Sequence, residues 1–378
     1  MATYKRQRYL FMTLDPVHIG TGGYRLGRVD NSIVREPGTK IPKIPGTSLH
    51  GAARSYAAQL YGTPGAAGQS HDKIDNPDQN PVCYTFGYVQ KSKDEKSDDS
   101  SSTSTSKPIP KGSQDKNNDQ GKAFSGVVNI FDAHILLFPV HSMVGPVWVT
   151  TVERLNDAEF KIDKSLETWN NNECINQVVI WNKSNSQSEK NLNLGWLMVN
   201  IVDTVTINSP EDSKWEEDKR YKAINRIVIV KDALFTQVVN SNLEVRTSVA
   251  IDPETGAANE GALFTYEAIP RATFLTAEVV LDDYGAGKEK NNDDKEKQNS
   301  NSRKRDYPFP KNKKFDSEED IPGGTWNCPL CVVKAGFRMI EWLGVGGMGT
   351  RGFGRMAMIG DPINVELQTL FNQEKNYE

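Results

Sequence analysis

The stretch LGVGGMGTRGFGRM, Leu343 to Met356, places six glycines in fourteen residues. Glycine has no Cβ, so such a segment can take positive φ and approach another backbone or a ligand closely. The residues before it, 332–343, carry apolar side chains at helical spacing (Val333, Phe337, Ile340, with Val332, Met339 and Leu343 alongside), and FGRMAMIG after it reads as a short strand. Gly344 to Gly349 fits G-x-G-x-x-G, but a dinucleotide turn needs a strand before it and a helix after it. The order here is the reverse, so that reading is set aside. Two remain: a tight helix-to-strand turn, or a loop for a polyanion with bases, in which Arg351 and Arg355 flank Phe353.

The charge distribution separates these readings better than the total. The 378-residue chain has a net charge of −4, which by itself argues against a nucleic-acid partner. Residues 1–62, however, hold nine Lys/Arg against three acids, and residues 328–358 hold four against one, whereas 146–220 hold thirteen acids and eight bases. The basic segments coincide with the glycine-rich ones, the footprint of a phosphate-binding face. No run is long enough for a membrane span and the N-terminus lacks a signal-peptide pattern, so a cytoplasmic protein is expected. Four cysteines (83, 174, 328, 331) give no disulfide framework. Cys328 and Cys331 form one C-x-x-C without the second pair that a structural zinc site needs, which favours reduced thiols at a helix start.

The apolar fraction is only 37%, and two polar segments account for the deficit. Residues 91–122 and 282–320 lack the apolar side chains needed to offset ordering and are expected to be flexible surface insertions. Elsewhere strands and helices alternate. YLFMTLDPVHI and SIVRE read as strands; PGTSLHGAARSYAAQLYG as a helix capped by Thr47 or Ser48 and ending at Gly62; GVVNIFDAHILLFPV as one long strand with GPVWVTTV beside it. RIVIV precedes a helix capped by Asp232, and GALFTYEAIPRATFLTAEVVL gives two more strands. The expected class is α+β with an open sheet.

Six segments in order, HIGTGG with RVDNSIVRE, IPKIPGTSLHGAAR, FDAHILLFPVHSMVGPVWVTT, VRTSVAIDPETGAANEGALFTYEAIP and the glycine loop, resemble the Cas-seven-type backbone subunits of type III (Cmr/Csm-like) CRISPR effector complexes, a branch of the RAMP superfamily. The resemblance runs from Val17 to about Met356. It implies a ferredoxin-like (RRM-like) palm with a β-hairpin thumb and long inserted loops. On that scheme residues 1–90 and 123–150 form the first part of the palm, 91–122 a low-complexity insertion, and 151–235 an inserted or accessory region. Residues 236–281 hold the thumb hairpin and following strands, 282–320 a second insertion, and 321–378 complete the palm.

The same resemblance implies a guide RNA, a single-stranded target RNA and other effector subunits as partners: neighbouring RAMP backbone subunits, a large polymerase-like subunit and a small subunit. It also implies metal-dependent cleavage of the paired target by its own 2′-hydroxyl, with Mg2+ the expected ion, leaving a 2′,3′-cyclic phosphate and a 5′-hydroxyl. Asp30 matches the catalytic position, as metal ligand or as base. The expected RNA contacts are His18, Thr21 and Arg28 around the first glycine loop; Thr47, Ser48 and Arg54 on the helix, whose free N–H groups make an anion site or a plain N-cap; Ala258 and Asn259 near the thumb tip; and Gly346, Gly347, Arg351, Phe353 and Arg355. A non-catalytic RNA-binding scaffold and a guide-processing RAMP nuclease using His18 are the alternatives. The insertions, the acidic segment and the absence of an acid or lysine within the glycine loop depart from the family pattern.

Overall fold

The computed structural model describes residues 3–22, 29–68, 71–90, 122–166, 169, 174–183, 189–283, 307, 309 and 326–365. Its frame, in chain order, is β1 (Thr3–Thr13), α1 (Gly46–Leu60), β2 (Ala133–Ser142), β3 (Gly145–Thr150), β4 (Gln177–Asn182), β5 (Asn191–Leu194), β6 (Leu197–Thr204), β7 (Arg226–Ile229), α2 (Asp232–Ser241), β8 (Glu244–Ile251), β9 (Ala258–Ala268), β10 (Phe274–Asp283), α3 (Pro329–Leu343), β11 (Met356–Met358) and β12 (Ile363–Val365). All but β8 and β9 join a 12-stranded mixed sheet with the path β5-β6-β4-β7-β3-β2-β10-β1-β11. The centre, β11-β1-β10-β2, is antiparallel; the pairs β4–β6 and β3–β7 are parallel. β8 and β9 form a separate antiparallel hairpin.

The central strand explains the layering. Tyr9 and Phe11 of β1 meet Phe337 of α3 edge to face at 5.0 and 5.3 Å. Leu10 between them points the other way, into a second core with Trp148, Leu155, Phe160 and Trp215. All three β1 residues are fully buried, the pattern of a sheet covered on both faces. Helices α1 and α3 cover one face, and residues from 152–224 cover the other while 177–229 extend the sheet. No described helix is long and apolar enough to cross a membrane.

Helices α1 and α3 touch backbone to backbone. A Cβ on Gly336 would lie 2.4 Å from the Ala53 carbonyl oxygen, so only glycine permits this crossing. Gly336→Leu is expected to force the helices apart and destabilise the chain by about 1–3 kcal/mol, read as a lower midpoint in thermal denaturation. An unchanged midpoint would show that α1 and α3 separate without cost.

Several local expectations are corrected. The predicted long strand breaks at Phe131 and Asp132 into Val128–Ile130 and β2, because Asp132 turns away to accept the Gly46 N–H at 2.7 Å and to pair with Lys43 at 2.6 Å. SIVRE is held by single bridges, Ile33 to Gly20 and Arg35 to Pro42, and forms no strand. The cap of α1 is Pro45 without a side-chain bond, so Thr47 and Ser48 lie inside the first turn. Likewise Lys231, and not Asp232, caps α2. The expected flexible insertions fall almost wholly outside the described residues.

Candidate nucleic-acid interface

The glycine loop does two different jobs. Gly346 has φ +88°, and a Cβ there would sit 2.6 Å from the His18 carbonyl oxygen. Gly354 has φ +98°, with Val345 O at 2.5 Å from the same imagined atom. Their neighbours complete the seam: Gly347 N–H donates to His18 O, Gly354 N–H to Pro16 O and Val345 N–H to Gly354 O, each at 2.9 Å. Half of the loop is therefore glycine-rich in order to lie against segment 16–20. The outer half, with Gly349 and Gly352 facing open space and Met348 left-handed at φ +64°, is left as an accessible surface.

A cleft of about 300 Å³ lies between this loop and α1, lined by Ser48, Ala52, Tyr56, Gly344, Gly349 and Phe353 among others. Tyr56 closes its floor by donating to Gly344 O at 2.6 Å. Ser48 opens into it from the first turn of α1, while Thr47 is exposed beside it; the expected anion site of free N–H groups is largely closed, because Gly46 N–H donates to Asp132 and the Ser48 and Leu49 N–H groups to Pro45 O.

Next to the cleft the root of the β8–β9 hairpin gathers the rest. The His18 ring is buried, its Nδ1 is 2.6 Å from Glu267 O, and it meets Tyr266 edge to face at 5.9 Å. The Tyr266 hydroxyl accepts from Arg351 at 3.0 Å, which holds that cation with a neutral group. Phe353 is buried beneath Arg246, whose guanidinium carbon lies 4.9 Å from the ring centroid. Segment 31–35 is zipped to the same root: Asn31 N–H donates to Thr265 O and Glu267 N–H to Asn31 O, and Arg35 pairs with Glu267 at 2.6 Å.

Asp30 is clasped by Thr265. The Asp30 N–H donates to the threonine hydroxyl at 3.0 Å, and the Thr265 N–H and hydroxyl both donate to Asp30 Oδ2 at 2.8 Å. The Thr265 amide first, and its hydroxyl second, hold the Asp30 carboxyl below the usual carboxylate range. This favours the ionised form, and both bonds from Thr265 fall on Oδ2. Among the described residues no group of three His, Cys, Asp or Glu is placed to hold a metal.

Not every expected contact lies on this surface. Arg54 braces the interior, donating through Nε to Ala66 O at 2.9 Å and through Nη2 to Gly87 O at 2.8 Å with His71 Nε2 at 2.7 Å; the structure makes it a tie between inner segments and does not bring it to this surface. Phe353 is no open stacking platform, being covered by Arg246. Arg355 is exposed but pairs with Asp15 at 2.5 Å. Thr21 binds Ser32, N–H to carbonyl at 3.2 Å. The hairpin turn closes at 252–257, where Asp252 accepts from Glu254 and Thr255 and Gly256 has φ +67°. Ala258 opens β9 directly after this turn, and Asn259 follows it in the strand. Arg28 lies outside the described residues. The charge count also overstated the face: of the nine bases in 1–62, Arg6, Arg8, Arg35 and Lys43 are ion-paired. Sequence reasoning missed Thr265, Tyr266, Tyr56 and Arg246.

The family model described as RAMPs, RAMP superfamily, matches residues 10–357. The chain belongs to the RAMP superfamily. The match begins in β1 and ends in β11, so it spans the central sheet, both covering helices and all the segments that meet at the hairpin root. Among RAMP relatives, the chain is similar to the CRISPR system Cmr endoribonuclease Cmr4 of Pyrococcus furiosus, 26% identical over 299 residues that cover 74% of this chain and 82% of the relative. A shorter stretch is 37% identical to the Cms endoribonuclease Csm3 of Enterococcus italicus, covering 21% of this chain and 35% of that protein. In fold, the chain is similar to a cryo-EM structure of type III-B Cmr-β in the apo state, with TM-score 0.50, 13% identity and coverage of 93% and 96% of the two chains.

Proposed function

We propose that this RAMP protein is a backbone subunit of a type III CRISPR effector complex that binds guide RNA and cuts the paired target once, at Asp30. The observation that carries the reading is the clasp between Asp30 and Thr265, which fixes an ionised carboxylate at the root of a projecting hairpin beside the cleft. The names of the relatives, CRISPR endoribonucleases of the Cmr and Cms systems, support it. The order β11-β1-β10-β2 with α1 and α3 on one face supports reading the centre as a ferredoxin-like palm and β8–β9 as the thumb.

In the proposed reaction the target's 2′-hydroxyl attacks its own adjacent phosphorus, the P–O5′ bond breaks, and a 2′,3′-cyclic phosphate and a 5′-hydroxyl result. The two hydrogen bonds from Thr265 lower the proton affinity of Asp30, which favours an electrostatic part over removal of the 2′-hydroxyl proton. A lone carboxylate fits Mg2+, which is commonly held by one or two carboxylates together with substrate phosphates; when bound, the ion supplies charge stabilisation at the scissile phosphate. Among described residues, Asp30 is the carboxylate that would hold it.

The test is reconstitution with the remaining effector subunits and a guide: the complex should retain guide RNA and cut matched target, and a chain that neither retains guide nor supports cutting would overturn the proposal. A second expectation concerns the loop cations. Arg351→Ala with Arg355→Ala should weaken RNAs of unrelated sequence alike and reduce the salt slope of log affinity by about 0.7 per lost phosphate contact. Loss confined to one sequence would mean these arginines read bases.

A further inference from the structure

We propose that Cys328 and Cys331 form a thiol–disulfide exchange site, with Cys328 the attacking sulfur, Cys331 the resolving sulfur, and small disulfides the substrates. The pair opens α3 as Cys-Pro-Leu-Cys, far along the helix from the glycine loop. Cys328 is the N-cap, its backbone extended at φ −156° and ψ 157°, with Pro329 in the first turn. Both cysteines are free thiols, partly exposed, and their Sγ atoms are in contact at 2.6 Å.

The surroundings distinguish the two sulfurs. Cys331 Sγ lies 3.3 Å from Asn327 Oδ1, a second acceptor beside Cys328 Sγ for the one proton it carries. The touching Cys331 thiol first, then the backbone of the helix start and the positive charge of Lys5 on β1, hold the Cys328 thiol below the usual cysteine range while Cys331 is pushed up. A thiolate at a helix N-terminus beside a cation is the nucleophilic form of cysteine. By contrast Cys83 is buried and raised to about 11.

The chemistry closes on itself. The Cys328 thiolate attacks one sulfur of a small disulfide, forming a mixed disulfide and expelling one thiolate, which takes up a proton. Cys331, losing its proton, then attacks Cys328 Sγ, forming the internal disulfide and expelling the second small thiol. Two electrons pass from the cysteine pair to the small disulfide. Because the new bond spans a single turn, it leaves the α1–α3 contact and the glycine loop where they are.

Oxidised glutathione is the probe, applied to the full chain carrying Cys174→Ser so that the exposed Cys174 does not contribute, with intact mass as the readout. Without further substitution, the chain should lose two titratable thiols and carry no adduct. Adding Cys331→Ser should trap one glutathionyl adduct on Cys328. Adding Cys328→Ser, a residue favoured as an N-cap, should leave Cys331 reacting slower by about tenfold or more. Stable adducts on the chain that retains both cysteines, or equal rates in the two serine variants, would overturn the proposal, and the first of these outcomes depends on no change at either position.

Discussion

Asp30→Ala is expected to abolish target cutting at the position this subunit serves, by a factor of about 10² or more, while guide retention and target binding stay as they were. The carboxylate is half-buried with its Oδ2 committed to Thr265, and it is the described charge in that segment proposed to act at the RNA backbone. Asp30→Asn separates charge from architecture: its amide oxygen can still accept from Thr265, so the segment should hold its place while cutting is lost. If Asn cuts as well as Asp, the charge is not needed; if alanine cuts at every position, the subunit is a scaffold. Chelation of divalent ions should mimic the loss of cutting and leave binding unaffected, because one carboxylate cannot hold such an ion without the substrate's phosphates. Gel analysis of end-labelled target with a filter-binding control reads both.

Gly346→Val is expected to have the larger effect on the fold of the site. The substitution meets two penalties at once: a left-handed φ that a β-branched residue adopts at a cost of about 1–3 kcal/mol, and a Cβ 2.6 Å from the His18 carbonyl. The seam between the loop and segment 16–20 should open, releasing His18 from Tyr266 and the cleft wall from Tyr56. RNA binding should fall with it, and the melting midpoint by about 2–4 °C for each kcal/mol lost. Gly349→Ala, in open space at the same loop, is the control and should bind and melt nearly as the parent. Equal behaviour of the two variants would mean that the seam does not organise the surface.

How much of this was legible beforehand depends on whether a residue's partner lies nearby in sequence. The helix–loop–strand order around 343–356 was readable because periodicity and glycine content are local, and so was the helix starting near Gly46. The break in the strand at Asp132 was not, since its cause, the Gly46 N–H, is eighty-six residues away. The same holds for the site. Asp30 was singled out by resemblance, yet its clasp by Thr265, 235 residues on, left no local trace. Arg54 and Phe353 were misread for the converse reason: a cation on a helix and an aromatic ring in a glycine loop look available until the elements covering them are known. An RRM-like palm would offer RNA a sheet face, but residues from 152–224 pack over that face here, so the proposed RNA contacts fall to the loops.

The threonine clasp makes the hairpin a ruler. One hydroxyl accepts from the Asp30 amide and donates to its carboxylate, so the acid and the hairpin root are a single rigid joint, and the strand beyond it sets a distance. Thr265 pairs with Thr247 and Ala258 with Ile251, so the span is four residue steps along β8 with β9 bulging over its extra residues, about 13 Å at about 3.3 Å per step from the acid to the start of the turn. Whatever the turn touches is thereby held at a fixed offset from the carboxylate, and lengthening β8 and β9 by a matched pair of residues would move that contact outward while the carboxylate stayed in register.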